Sequence, residues 1–391
     1  MILFRDGNSQ RIGSLFTRAT PLNTWRYANP VRLIFGDNVP DPLARIMKGQ
    51  VGSSILLISY DWFKETEAYR DLEGGMEGIR SFFDIEENPS FESCPRAVDF
   101  AFTFSPEVII AIGGGSVIDT AKAVREALAK NNRDIRALFG TPNTPKPRAM
   151  LIAAPTTHGT GSEVTPWATI WDKTNKIKHS LSDPGNFPDF ALYCPALMES
   201  LPLFIALSST LDALSHAFEA IWNKNRNPIS THYAIKAVVM IVSHLKDLNE
   251  RVPADARKRL IEASMFAGLA FSNTQTAAAH AISYPLSSYF QIPHGLACAL
   301  PLYPLLKINE KAIQSELQDL FERLKITSID ELWRRVRDGI KGRISFSLSE
   351  AGVGKDDLGW LADLSLKQSR MGNNIVDLSR EDVRWILEMI F

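Results

Sequence analysis

Short apolar runs recur along the first half of the chain, separated by stretches with helical spacing. Ser54-Ile-Leu-Leu-Ile-Ser59, Val108-Ile-Ile-Ala-Ile112 and Met150-Leu-Ile-Ala-Ala154 are apolar almost throughout and rich in β-branched residues. Runs of this kind predict parallel strands buried on both faces. Val117 to Ala129 carries helix periodicity between them. Residues 31–190 therefore read as alternating strands and helices around a parallel sheet. Near residue 195 the pattern changes. Helix-period segments follow at Ala206 to Trp222, Ser230 to Leu248, Ala254 to Ala270, Ile313 to Leu324, Ile329 to Lys341 and Arg380 to Ile390. Prolines at 195, 202, 228, 253, 285, 293, 301 and 304 punctuate them as helix starts and stops would. The expectation is an α/β domain over residues 1–195 and an all-helical domain over 196–391.

Composition agrees with two cored domains: 391 residues, 45% apolar and 22% charged. Such a chain is too apolar for disorder. Forty-three Lys and Arg against 44 Asp and Glu leave a net charge of −1, which excludes the broad basic footprint of a nucleic-acid binder. Cys94, Cys194 and Cys298 lie far apart and form no CxxC pair. This speaks against a disulfide framework or a cysteine zinc site, and for a reducing compartment. Met1 to Gly13 holds Arg5, Asp6 and Arg11 and no apolar core of leader length. No apolar stretch approaches the ~20 residues that span a bilayer. A cytoplasmic protein with no membrane partner is expected.

Three constellations carry chemistry. Ile112-Gly-Gly-Gly-Ser116, with Asp119 and Lys122 beyond it, joins a strand to a helix. Glycines there let backbone approach a pyrophosphate, and the helix N-terminus favours its charge; a plain tight turn is the other reading. Pro155-Thr-Thr-His-Gly-Thr-Gly-Ser-Glu-Val-Thr165 follows another strand. It is either a second ligand loop or simply a Ser/Thr-rich connection, but two such loops at strand ends of one parallel sheet favour a ligand. Asp212 and His216, at i and i+4, share one helix face, and His280 and His294 follow in Gly/Pro-punctuated apolar segments. A carboxylate with three imidazoles suits Fe(II) or Zn(II); unrelated helix histidines are the alternative.

These motifs, in this order, resemble the iron-containing (group III) alcohol dehydrogenase family over almost the whole chain. The matching residues include Asn29-Pro-Val-Arg-Leu-Ile-Phe-Gly36, Ile85-Glu-Glu-Asn-Pro89, the glycine turn at 113–122, the Thr-rich loop at 156–163, Asp212 to Glu219, and the segment ending at Gly295. The resemblance implies a Rossmann-like parallel-sheet domain followed by an all-helical one, the dehydroquinate synthase-like architecture. It implies a divalent metal, Fe(II) or Zn(II), on Asp212, His216, His280 and His294. It implies NAD(P)H on Asn88, Gly114, Gly115, Ser116, Asp119, Thr156, Thr157, Thr160, Lys178 and Leu197, and a homodimer. Hydride transfer to a small aldehyde, giving an alcohol, would follow. Tyr284 stands where relatives often carry a proton-relay histidine, and Tyr60 with Asp61 stands where NAD-preferring relatives carry a ribose-binding carboxylate, so NAD and NADP both remain open. His280-Ala-Ile-Ser-Tyr-Pro-Leu-Ser, Pro293 to Leu300 and Met371-Gly-Asn-Asn374 are similar to the phosphonoacetaldehyde reductase branch, which makes 2-hydroxyethylphosphonate in phosphonate biosynthesis. A dianionic substrate calls for cations; His158, Lys224 and Arg226 are the candidates, the last two being equally readable as a solvated loop. The alternative within the family is a broad reductase of uncharged small aldehydes.

Overall fold

The computed structural model describes residues 24–48, 53–140, 148–249 and 252–391. The Met1 to Gly13 segment, read above for its lack of a leader, lies outside them. The described strands are β1 (Arg32–Phe35), β2 (Ile55–Ser59), β3 (Ile79–Phe82), β4 (Val108–Gly113), β5 (Met150–Pro155), β6 (Trp167–Asp172), β7 (Ile177–Ser182) and β8 (Phe190–Tyr193). Six of them form one parallel sheet in the order β1-β8-β5-β4-β2-β3, while β6 and β7 form an antiparallel hairpin.

The three apolar runs are β2, β4 and β5, the central strands. Their burial is nearly complete because helices cover both faces. At the sheet edges β1 is largely exposed and β3 mostly half-buried, and β6 alternates between buried and half-buried positions. Continuous apolar runs could not signal those.

Helices α1 (Pro40–Met47), α2 (Glu67–Gly75), α3 (Cys94–Phe102) and α4 (Gly115–Lys130) flank the sheet. From α5 (Leu203–Ile221) onward every regular element described is helical: α6 (Pro228–His244), α7 (Ala254–Thr274), α8 (Ala278–Phe290), α9 (His294–Ala299), α10 (Leu302–Asn309), α11 (Gln314–Leu324), α12 (Ile329–Ile340), α13 (Asp357–Leu366) and α14 (Arg380–Met389). Most of α5 is buried and its surface is apolar nearly all round, so it is the central helix of this half. No helix among the described residues is long and apolar enough to cross a membrane.

β4 and β5 pair in register through Gly113 and Pro155, so the glycine turn and the Thr-rich loop leave the sheet side by side. A buried ion stitches them. Lys122 on α4 is fully buried and donates from Nζ to Ser162 O at 2.7 Å, Ser162 Oγ at 2.9 Å and Trp167 O at 2.8 Å. Burial pushes its pKa down to about 8, against the pull of Asp119 and Glu163. Asp119, one turn earlier, accepts from Ser162 Oγ at 2.6 Å and from the Thr169 N–H at 2.8 Å. Removing one partner of such a cluster leaves buried acceptors unmatched, at a cost of about 3–5 kcal/mol. Lys122→Met is therefore expected to lower the thermal midpoint, by roughly 2–4 °C for each kcal/mol lost. Calorimetry of the two proteins checks this; an unchanged midpoint would show that the stitch carries no stability.

Candidate metal and dinucleotide site

The site is built around α5. A Cβ on Gly159 would lie 2.4 Å from Ser209 O, and one on Gly295 would lie 2.0 Å from Ser208 O. Only glycine allows the Thr-rich loop on one side and the start of α9 on the other to press this closely on the helix backbone. One turn further along α5 stands Asp212. Its Oδ1 lies 3.9 Å from His216 Nε2, 3.6 Å from His280 Nε2 and 4.0 Å from His294 Nε2. The four sequence-derived ligand candidates thus converge from α5, α8 and α9.

Neighbouring groups orient the imidazoles. His216 Nδ1 lies 3.2 Å from Gly159 O, and its ring stacks on Phe271 at 4.0 Å. His280 Nδ1 lies 2.5 Å from Glu219 Oε2, while the His280 backbone N–H donates to Glu219 Oε1 at 3.0 Å. In both rings Nδ1 is thereby occupied, and Nε2 faces Asp212. Burial pushes Asp212 upward, but the imidazoles, His216 foremost, outweigh it and hold the carboxyl well below its usual range. His216 is pushed down to about 4 by burial, and His294 falls well below its ordinary value through burial and the charge of Lys178. At His280, Cys298, Glu219 and Asp212 together outweigh burial and push the value up.

Asp212 Oδ1 and His280 Nε2 are buried and have no hydrogen-bond partner. Two orphaned polar atoms aimed at one point are costly unless something binds between them. A divalent cation fits that requirement, and the carboxylate–imidazole donor set suits iron or zinc.

Two residues absent from the candidate set belong here. Glu219 was legible only as the end of the Asp212 motif, three residues after His216; the structure gives it the role of holding His280. Cys298, four residues after His294, places Sγ 3.7 Å from both nitrogens of that ring.

The dinucleotide candidates line the adjoining strand ends. Gly114 caps α4 in extended conformation. Asn88, exposed and left-handed at φ 57°, donates its backbone N–H to Ser116 Oγ at 3.1 Å. Thr156 N donates to Gly113 O, Thr160 Oγ1 accepts from Ser162 N at 3.3 Å, and Thr157 stands half-buried between them. Leu197, in the turn after β8, packs on the sheet core. Asp119 spends its carboxylate on the stitch just described. Lys178 on β7 puts Nζ 4.5 Å over the ring of Tyr284, whose centroid is 6.4 Å from His294 and 6.5 Å from His280. Asp61 is exposed and paired with Lys64.

The expected substrate cations are placed differently. His158 is 2% exposed, burial pushes it down to about 4, and Nδ1 lies 2.9 Å from Thr210 Oγ1. That burial disfavours the protonated ring, against the positive charge expected of it. Lys224 pairs with Asp377 at 2.5 Å and with Gly372 O at 3.0 Å. Arg226 pairs with Glu316 at 3.4 Å and with Ile221 O at 3.2 Å. Both bind the helical half's own surface.

A two-domain fold with a buried carboxylate–imidazole cluster under paired strand-end loops defines a class of metal-assisted dinucleotide oxidoreductases. Residues 30–195 match the model of the iron-containing alcohol dehydrogenases, and residues 206–391 match that of the family's C-terminal region. The chain belongs to the iron-containing alcohol dehydrogenase family. It is 29% identical to the NADPH-dependent butanol dehydrogenase of Clostridium saccharobutylicum over 82% of this chain and 85% of that one. It is 36% identical to the phosphonoacetaldehyde reductase of Streptomyces viridochromogenes over 54% of this chain and 56% of that one. The crystal structure of sulfoacetaldehyde reductase from Bifidobacterium kashiwanohense in complex with NAD+ superposes with a TM-score of 0.86 at 27% identity, covering 94% of this chain and 98% of that one.

The contact between Glu219 and His280 yields a direct test. Glu219→Gln keeps the size and weakens the imidazole's orientation, so metal affinity should fall about 10–100-fold in a chelator competition. Unchanged affinity would mean that Glu219 serves packing alone.

Proposed function

We propose that this chain is an NAD(P)H-dependent reductase of small aldehydes. Its ion, Fe(II) with Zn(II) as the alternative, is held by Asp212, His216, His280 and His294. Its dinucleotide is held at Asn88, the Gly114-Gly115-Ser116 turn, Thr156, Thr157, Thr160, Lys178 and Leu197. The observation that carries this reading is the orphaned pair Asp212 Oδ1 and His280 Nε2, buried where α5 meets the Thr-rich loop and the start of α9. When bound, the metal supplies Lewis acidity to the carbonyl oxygen and the nicotinamide supplies the hydride. The chain's own part is positional. Asp212 stays ionised, Gly159 O and Glu219 fix two of the imidazoles, and the close backbone contacts keep Asp212, His216 and His280 buried. Tyr284, beside His294 and under Lys178, offers a hydroxyl proton for the product alkoxide, as a weaker relay than a histidine.

Within that activity the preferred substrate is phosphonoacetaldehyde, giving 2-hydroxyethylphosphonate. Two similar proteins are named for two-carbon aldehydes that end in a tetrahedral anion. Here the cation is Arg370. It lies half-buried on the turn Ser369–Asn373, which packs against α8, the helix of His280 and Tyr284. Its guanidinium bonds the neutral Gln275 side chain, and no carboxylate lies within 4.0 Å among the described residues. A guanidinium without a counter-ion suits a phosphonate fork. The similarity to a butanol dehydrogenase across most of the chain, with Lys224 and Arg226 occupied, favours the second reading, a broad reductase of uncharged aldehydes.

Kinetics of Fe(II)-loaded protein with NADH and NADPH separate the two. A preference for phosphonoacetaldehyde over acetaldehyde of ~100-fold in kcat/KM corresponds to about 2.7 kcal/mol of selective binding, and Arg370→Met should remove most of it. Equal rates would establish the broad reading, and a preference that survives Arg370→Met would place the anion elsewhere.

A further inference from the structure

We propose that Cys298 is a metal-ligating side chain, so that a thiophilic divalent ion is held by sulfur together with Asp212, His280 and His294. The inference rests on a metal being bound at this site, as proposed above, and adds a ligand that the motifs did not supply. Asp212, His280, His294 and Cys298 each bring one donor atom to within 4.8 Å of all the others. A tetrahedral ion with bonds of about 2.0–2.3 Å separates its donors by roughly 3.3–3.8 Å. Sγ lies 3.7 Å from His294 Nε2, and Asp212 Oδ1 lies 3.6 Å from His280 Nε2. Those spacings need contraction by tenths of an ångström at most, and the 4.0 Å from Asp212 Oδ1 to His294 Nε2 needs little more.

The side-chain direction is specific. His294 and Cys298 are one helical turn apart on α9 and share a face. The flanking Ala297 and Ala299 are buried in the apolar core, whereas Sγ turns to the imidazoles. A cysteine used only as a small apolar filler would have no reason to do so. His216 reaches the same carboxylate from α5 at 3.9 Å. Asp212, His280 and His294 are thus common to two donor sets, one completed by imidazole and one by sulfur. Soft or borderline ions such as Zn(II), Co(II) and Cd(II) gain most from the second set, and a hard ion such as Mn(II) gains least. Binding in that set exchanges the thiol proton for the ion, with no change of oxidation state.

The test uses the whole metal-depleted protein titrated with Co(II). Wild type should show the intense near-ultraviolet thiolate-to-Co(II) charge-transfer band, and Cys298→Ser should lose it while still binding Co(II) in the visible region. Zn(II) affinity should fall about tenfold or more in Cys298→Ser, at least the loss seen on removing a group that merely orients a ligand. Mn(II) affinity should stay within a factor of about two and reports on the fold. Co(II) bound without the sulfur band, or equal Zn(II) affinities, would overturn the role of Cys298 and leave the Asp/His site standing. Failure of wild type to bind any of these ions would overturn both readings.

Discussion

Everything at the site depends on how closely two backbone segments pack on α5. Gly159 and Gly295 touch its carbonyls from two sides at distances that no side chain could share. These contacts bring the Thr-rich loop, the start of α9 and the Asp212 turn into one volume. The physical consequence is an ionised, buried carboxylate among three imidazoles, of which only that of His294 is partly exposed. An isolated buried charge costs many kcal/mol, so the arrangement is stable only with partners. His216 and His280 supply part of the compensation, and the orphaned atoms mark the part that an ion would complete. Packing and chemistry are therefore the same feature seen at two scales.

The second dependence is electrostatic. Two strand-end loops form one platform because Lys122, fully buried, ties the Thr-rich loop to α4, with Asp119 closing the link through Ser162 and Thr169. This explains why the glycine turn is followed by an acid and a base at 119 and 122. A carboxylate would repel a phosphate, and the glycine turn already offers backbone and the positive end of α4. The sheet places the loops side by side through Gly113 and Pro155, and Lys122 and Asp119, joined through the Ser162 hydroxyl, hold them there.

How much of this was readable follows from which signals are local. The central strands announced themselves as unbroken apolar runs, because burial on both faces leaves no polar position. The edge strands, the β6–β7 hairpin and the six-residue α9 have partial or alternating burial and left no such trace. Asp212 and His216 were legible because four residues on a helix are spatial neighbours. That His280 and His294 join them required the sequence resemblance, since nothing local says that α8 and α9 fold back on α5. Glu219 was visible as a letter in a motif and invisible as the partner of His280.

The cations show the opposite failure. His158, Lys224 and Arg226 were chosen by charge type and by lying in loops near the motifs. Loop cations are usually satisfied by whatever carboxylate or carbonyl is nearest in the fold, and Lys224 and Arg226 follow that rule through Asp377 and Glu316. His158 fails for a different reason. Burial beneath α5 makes the protonated form too costly, and Thr210 fixes the neutral ring. A more informative cation is one that the fold leaves without an acid among the described residues. Arg370 satisfies that criterion, and its partner Gln275 sits at φ 67°, ψ 176° at the start of the segment leading to His280. That backbone region is close to glycine-only, and a strained residue of this kind persists only when its surroundings hold it. Here Asn223 binds the Gln275 carbonyl and Arg370 its side chain. The guanidinium is therefore fixed to the same short segment that leads to His280, so under the proposed reading a grip on a substrate's anionic end would be coupled to the placement of that imidazole.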